Sequence, residues 1–283
     1  MLPVKDFVIR QVRTAVYDSD PHGSREAVVF VHGNPGPMDD WDDLAPAVAQ
    51  FARVVAMDLP GYGRAEHPHH FDFTVEGYAR FLGELLERIG VERVHLVLHD
   101  FGGGFGLRWA ADHPEQFASV TLINTGVLPG YKWHRYARIW QTPILGELFQ
   151  LTATAKLMKR ALDADNPKPM PQSYVDRVMS YADWHHLRAV LQLYRNSRDP
   201  EATFSEALPL LRALDRPACV IWGAGDSYLP VKYAAVQREA FPHAEVHVLE
   251  GLGHWPFIDD PAAVSGILVE FLRRQISSAV AAQ

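Results

Sequence analysis

The stretch LVLHDFGGGFG (96–106) ends an apolar run in His99 and Asp100, then offers three glycines within four residues. A strand running into glycines and then a helix is the layout of a nucleophile elbow, whose central residue is strained and whose neighbours must be small. Asp100 would be that central residue, with Gly102 and Gly103 behind it. The start of a helix also favours negative charge there. Aspartate is a common helix cap as well, so this stretch alone reads equally as cap or reagent. As a reagent, a carboxylate is already ionised at neutral pH and needs no base to attack. It suits displacement at sp³ carbon and leaves an ester of its own side chain that must then be hydrolysed. A serine in that place would attack carbonyl carbon instead.

Three other stretches put polar residues where apolar runs end. They are HGNPG (32–36), WGAGDSYLP (222–230) with Asp226, and GLGHWPF (251–257) with His254. Each has a plain reading too: a lone loop histidine is usually a surface residue, and Asp226 and HGNPG could be turn formers.

The elements that must position these residues alternate along the chain. VVFVHG (28–33), RVVAMDLPG (53–61), VHLVLHD (94–100), SVTLINTG (119–126), ACVIWG (218–223) and EVHVLEG (245–251) read as strands. Their apolar runs show little alternation, as parallel strands buried on both faces do. Helices are expected over 37–50, 74–90 starting near Thr74, after the glycines to about 114, 230–241, and from Pro261. Between about Val127 and Asp215 the chain reads as helices with Pro-rich joints, including DNPKPMPQ (165–172). Alternation of this kind implies a doubly wound, mostly parallel sheet interrupted by a helical insert.

Composition narrows the function classes. The 283 residues are 48% hydrophobic and 22% charged, an ordinary globular balance. A formal charge of −7 argues against nucleic acid, which needs a basic face. Cys219 is the one cysteine, so a disulfide is excluded and a reducing compartment is expected. MLPVKDFVIR lacks the apolar core of a signal peptide, and no run is long enough to span a bilayer. The expectation is a cytoplasmic protein with no membrane partner.

At these residues the chain resembles the α/β-hydrolase family, and within it the aspartate-nucleophile branch of haloalkane dehalogenases and epoxide hydrolases. The resemblance covers nearly the whole chain, the insert only loosely. It implies a core of 1–126 and 216–283, with a helical lid (127–215) inserted after the sixth strand. It makes Asp100 the nucleophile, His254 the base that activates water and Asp226 the acid that orients it. The backbone N–H groups of Asn34 and Phe101 would form the oxyanion hole. The order nucleophile, acid, base is the family's. Some relatives keep the acid where Asn124 stands, and Asn124 cannot carry the charge. Asp58, at another strand end, is expected to hold a turn.

The two branches differ in what receives the leaving group. Dehalogenases of this kind place a Trp indole directly after the nucleophile and often an Asn in HGNP. Asn34 matches, but Phe101 has no N–H to donate. LVLHD lacks the Gly that epoxide hydrolases place before HD, whereas GHW (253–255) leans slightly towards them. An epoxide oxygen leaves as an alkoxide and needs a general acid, supplied in epoxide hydrolases by lid tyrosines, typically a pair. LQLYRN (191–196) resembles their tyrosine-bearing stretch and makes Tyr194 the donor, although Tyr194 also reads as an ordinary packed tyrosine. QTPILGELF (141–149) holds no second one, which leaves Tyr131, Tyr136, Tyr174, Tyr181 or His185 as substitutes. Trp133, Trp140, Phe149, Trp184 and His185 are candidates to line an apolar pocket, or simply to form the core of the insert.

Epoxide hydrolysis to a vicinal diol is therefore the expected activity, ahead of haloalkane dehalogenation. A non-catalytic small-molecule binder on the same fold is the reading of another class. An enzyme rearranging an epoxide without water is also open. No metal or organic cofactor is implied, because His and Cys lack ligand spacing and GGGFG does not keep the dinucleotide register. The expected partners are a small apolar organic substrate and water.

Overall fold

The apolar runs assemble into one eight-stranded sheet in a computed structural model that describes residues 3–20 and 22–281. Met1 and Leu2 of the N-terminal stretch read for a signal peptide lie outside the described residues. The strands are β1 (Lys5–Ile9), β2 (Val12–Asp18), β3 (Glu26–Val31), β4 (Arg53–Met57), β5 (Arg93–His99), β6 (Phe117–Ile123), β7 (Ala218–Gly223) and β8 (Glu245–Leu249). Their order is β1-β2-β4-β3-β5-β6-β7-β8. β3 to β8 run parallel, and β1 and β2 join antiparallel at one edge. The expected strands did not include this edge pair. The exposed side chains of β1 break its apolar run.

The central strands are apolar on both sides because both faces are covered. Val29, Val31, Leu96, Leu98 and Trp222 pack with α2 (Val75–Arg88) and α3 (Phe101–Asp112). Val28, Phe30, Val97 and Ile221 pack with α1 (Ala45–Val48) and, further along the chain, the helix Pro261–Ala281. α2 starts at Thr74, whose hydroxyl accepts the Gly77 N–H at 3.0 Å, the bond expected of a Thr cap.

Two expected helices are shorter than read. Residues 37–50 form a 3-10 turn over Met38–Trp41 and then only α1. Asp39 and Asp40 point inward from that turn to Arg64 and Arg177 rather than outward from a helix. Residues 230–241 give a helix over Lys232–Val236 and a 3-10 turn over Gln237–Glu239. The Gln237 amide there is diverted to both main-chain groups of Val127, at 2.8 Å each.

Between β6 and β7 the described elements are all helices: α4 (Arg135–Gln141), α5 (Leu145–Leu151), α6 (Ala155–Asp165), α7 (Gln172–Ser180), α8 (Trp184–Asn196), α9 (Pro200–Ser205) and α10 (Leu208–Leu214). α4 packs with α5 and α8, whereas α6 packs with α7. The insert thus has two helix groups with a seam between them. Arg135 bridges the groups to Asp165, and Arg177 and Tyr181 tie the second group to Asp40 and Asp39 at 2.9 and 3.1 Å. The chain returns through α11 (Lys232–Val236) and ends in α12 (Pro256–Asp259) and α13 (Pro261–Ala281).

Cys219 is buried in β7, and burial pushes its thiol up to about 12. Among the described residues no helix is long and apolar enough to cross a membrane.

Candidate active site

Asp100 sits between β5 and α3 with φ +49° and ψ −125°, a conformation costly for any residue with a Cβ. The surroundings force it. A Cβ on Gly102 would lie 2.3 Å from the Val31 carbonyl, and one on Gly103 2.0 Å from the Thr125 hydroxyl. That hydroxyl donates to the Asp100 carbonyl at 2.5 Å. Glycine is what allows α3 to begin this close to β3, and the turn lifts the carboxylate clear of the sheet.

Three strand ends meet there. His254, on the loop after β8, has Nε2 3.4 Å from Asp100 Oδ2. Its Nδ1 donates to Asp226 Oδ2 at 2.7 Å. Asp226 Oδ2 also accepts from the Asn124 amide at 2.7 Å, and its Oδ1 from the N–H groups of Tyr228 and Leu229 at 2.7 and 2.8 Å. Asn124 directly follows β6, and its Oδ1 takes the Gly223 N–H at 2.9 Å. It therefore holds the acid from the neighbouring strand. His99 donates through Nε2 to the His254 carbonyl at 2.8 Å, fixing the loop.

The charges follow from the geometry. Burial opposes the His254 imidazolium, but the Asp226 and Asp100 carboxylates overcome it and raise its pKa well above that of a free histidine. Burial likewise opposes ionisation of Asp100. The hydrogen bond and charge of His254, with the Asn34 N–H, hold that carboxyl down at about 2. The resting site is a cation between two anions. Asn34 N donates to Asp100 Oδ1 at 2.8 Å, and Phe101 is the first residue of α3, where a backbone N–H has no partner inside the helix. Asp58 accepts from Met38 N and Arg64 N at 2.8 and 2.9 Å, a turn-holding arrangement.

Tyr194, buried on α8, lines the same cavity as Asp100, with its hydroxyl 3.5 Å from His134 Nε2. His134 caps α4, and its Nδ1 accepts the Ala137 N–H at 3.3 Å. Burial lowers its pKa to about 4, against the pull of Asp100, so the ring is neutral. A neutral ring whose Nδ1 accepts must carry its proton on Nε2. His134 therefore donates towards Tyr194, and the phenolic hydroxyl also hydrogen-bonds with the Asn34 side chain. Burial and the Asp100 charge raise Tyr194 well above an ordinary phenol, with the Asn34 side chain pulling the other way.

A cavity of about 370 Å³ connects these groups. Trp140 and Phe149 line it, but Trp133, Trp184 and His185 do not. Trp133 stacks on Phe101 at 5.6 Å and donates its indole N–H to the Ser197 carbonyl at 2.8 Å. Trp184 is 53% exposed, and His185 stands 5.8 Å from His67, outside the cavity. The helical repeat explains this: His186, Val190 and Tyr194 share one face of α8 and line the cavity, which turns 184 and 185 away.

Of the proposed second tyrosines, Tyr136 lines the cavity, whereas Tyr131 donates to the Tyr228 carbonyl, Tyr181 to Asp39, and Tyr174 packs behind Trp255. Sequence reasoning missed His134, Asn124 as a positioning residue, and Tyr228, whose ring lies 5.1 Å from His254. The only signal for His134 is a histidine directly before the helical stretch RYARIW.

Residues 26–261 match the family described as alpha/beta hydrolase fold. The chain belongs to that family. A cis-3-alkyl-4-alkyloxetan-2-one decarboxylase of Shewanella oneidensis is 28% identical over 270 residues, covering 90% of this chain and 84% of its own. A 2-hydroxy-6-oxononadienedioate/2-hydroxy-6-oxononatrienedioate hydrolase of Dechloromonas aromatica is 26% identical over 259 residues, covering 87% and 86%. Among solved structures, a haloalkane dehalogenase of Bradyrhizobium elkani superposes with a TM-score of 0.85 at 20% identity, over 98% of this chain and 99% of its own. That last likeness is one of fold. Family and relatives together support a hydrolase.

Proposed function

We propose that this hydrolase works through a covalent ester on Asp100 and that its reaction is the opening of an epoxide to a vicinal diol. The observation that carries the reading is a buried phenol, Tyr194, lining the same cavity as an ionised carboxylate at the elbow.

Asp100 attacks a ring carbon, the C–O bond breaks, and the departing oxygen takes the Tyr194 proton. Esterification removes the charge that held the proton on His254. The imidazolium, now facing Asp226 alone, becomes the stronger acid and returns a proton to the Tyr194 phenolate. Neutral His254 then takes a proton from water, which attacks the ester carbonyl carbon. The Asn34 and Phe101 N–H groups meet the oxyanion, a contact whose loss typically costs ~10²–10³ in rate. Collapse expels the diol with the proton from His254, and the Asp100 carboxyl then passes its own proton to His254, restoring the resting charges.

A second reading, carbon–halogen hydrolysis on the same nucleophile, is favoured by one observation. The Trp140 indole N–H is buried without a partner in the cavity wall and could hold a departing halide in place of the donor that Phe101 lacks. The dioate named for the Dechloromonas relative fits less well, because the lining residues include no lysine or arginine.

The test is intact mass and peptide mapping of His254→Gln, which should alkylate but not hydrolyse. A whole-epoxide adduct on Asp100, lost when Tyr194→Phe is added, supports the epoxide reading. An alkyl adduct from bromo- or chloroalkanes alone hands the site to the halide reading. No adduct from either on a folded variant rejects Asp100 as nucleophile and favours the binding protein.

A further inference from the structure

The cavity gathers polar groups around Asp100 and is otherwise mostly apolar, with Gln150, Thr152 and His186 among the exceptions. Asn34, Asp100, His134, Tyr194 and His254 line it at the candidate reacting groups, and Met158, Ala161 and Leu162 of α6 with Val178 and Met179 of α7 line it from the second helix group. This second part follows the seam between the α4/α5/α8 group and the α6/α7 group. It reaches the surface at Thr152, Ala153 and Leu157, where the lining residues become exposed.

The rim there is apolar. Leu148, Leu151 and Leu157 are 56%, 67% and 50% exposed, and Leu148 and Leu151 share one face of α5. Scattered exposed leucines are ordinary, but a cluster at the mouth of an apolar cavity is not. No lysine, arginine or glutamate lines the cavity, so a charged group buried along a ligand away from Asp100 and His254 would go unpaired.

We infer that the substrate is an uncharged epoxide on a linear aliphatic tail, with its ring between Asp100 and Tyr194 and its tail along the seam to the rim at Leu157. The methionines and alanines of α6 and α7 suit such a tail, since methionine adapts to an irregular chain. This rests on the epoxide reading for the reactive end, but the seam can be tested without any reaction.

The probe is a series of linear 1,2-diols of four to ten carbons, unreactive towards Asp100, titrated into the wild-type protein and followed by the fluorescence of Trp140 and Trp255 in the cavity wall. Affinity should rise about fourfold per added methylene, as burial of a CH₂ predicts. A carboxylate at mid-chain on the longest diol should remove most of that gain. Leu157→Asp at the half-exposed rim, and separately Ala161→Trp within the seam, should flatten the slope for the longer members. Affinity independent of length, or a diol with a mid-chain carboxylate bound as tightly as its neutral parent, overturns the inference. If diol affinity climbs but no epoxide of any length is turned over, the seam stands and the epoxide reading falls. If short epoxides are turned over while affinity stays flat, the reaction stands and the seam falls.

Discussion

At the scale of single residues, the site depends on one proton held between two carboxylates. His254 keeps it because Asp226 and Asp100 both raise its pKa, and the proposed cycle runs on the loss of one of them. Asp100→Asn imitates the esterified state by removing that charge without changing the side-chain shape. The His254 titration, followed by NMR, should move down in this variant, towards an ordinary histidine. The sign follows from linkage: a histidine whose folded pKa is raised contributes stability below its unfolded value and loses it as pH climbs through the folded one. Asp100→Asn should therefore narrow the stability gained below pH ~6.5. An unmoved titration would mean that Asp226 alone sets the proton, and that esterification cannot release it.

At the scale of elements, the elbow is a packing problem before it is a chemical one. Gly102→Ala would drive a methyl into the Val31 carbonyl and should cost about 3 kcal/mol in denaturant unfolding. Gly266 in α13 has nothing within 4 Å of a built Cβ, and Gly266→Ala should stabilise by about 1 kcal/mol through helix propensity. Equal effects from the two would show that the crowding at position 102 is not real. This contrast also explains what the sequence could carry. Parallel strands buried on both faces leave apolar runs, so β3 to β8 and the residues at their ends were readable one by one. The β1–β2 edge leaves no such run. In the insert, periodicity shows that helices exist but not which face turns inward. Trp133, Trp184 and His185 were drawn towards the pocket by residue type alone, while His186 and His134 face it because of the rotation of α8 and the cap of α4. Asp39 and Asp40 looked like the polar face of a helix, and only the distant Arg64 and Arg177 reveal them as inward-facing.

At the scale of the whole molecule, those two aspartates join the insert to the core. Asp39, Asp40 and Asp58 share the guanidinium groups of Arg64 and Arg177. Burial of Asp40, with its neighbouring carboxylates, outweighs Arg177 and lifts its pKa to about 7. A carboxyl raised from 3.8 to about 7 binds its proton more tightly folded than unfolded. Its contribution to stability is therefore full below the unfolded value and lost as pH rises through 7. In denaturant unfolding, the stability of the wild type relative to Asp40→Asn should fall by on the order of 2 kcal/mol from pH 5 to 8. Arg177→Gln should steepen the loss, because it removes the cation that partly offsets the buried charge.

Cys219 gives a practical consequence at the same scale. A lone thiol, buried in β7 and held protonated by its surroundings, is a poor target for maleimide dyes. A cysteine introduced at Leu148 would then be the single addressable position on the chain. An environment-sensitive fluorophore placed there would sit at the entrance of the seam, and a shift in its emission colour would report each passing ligand in real time.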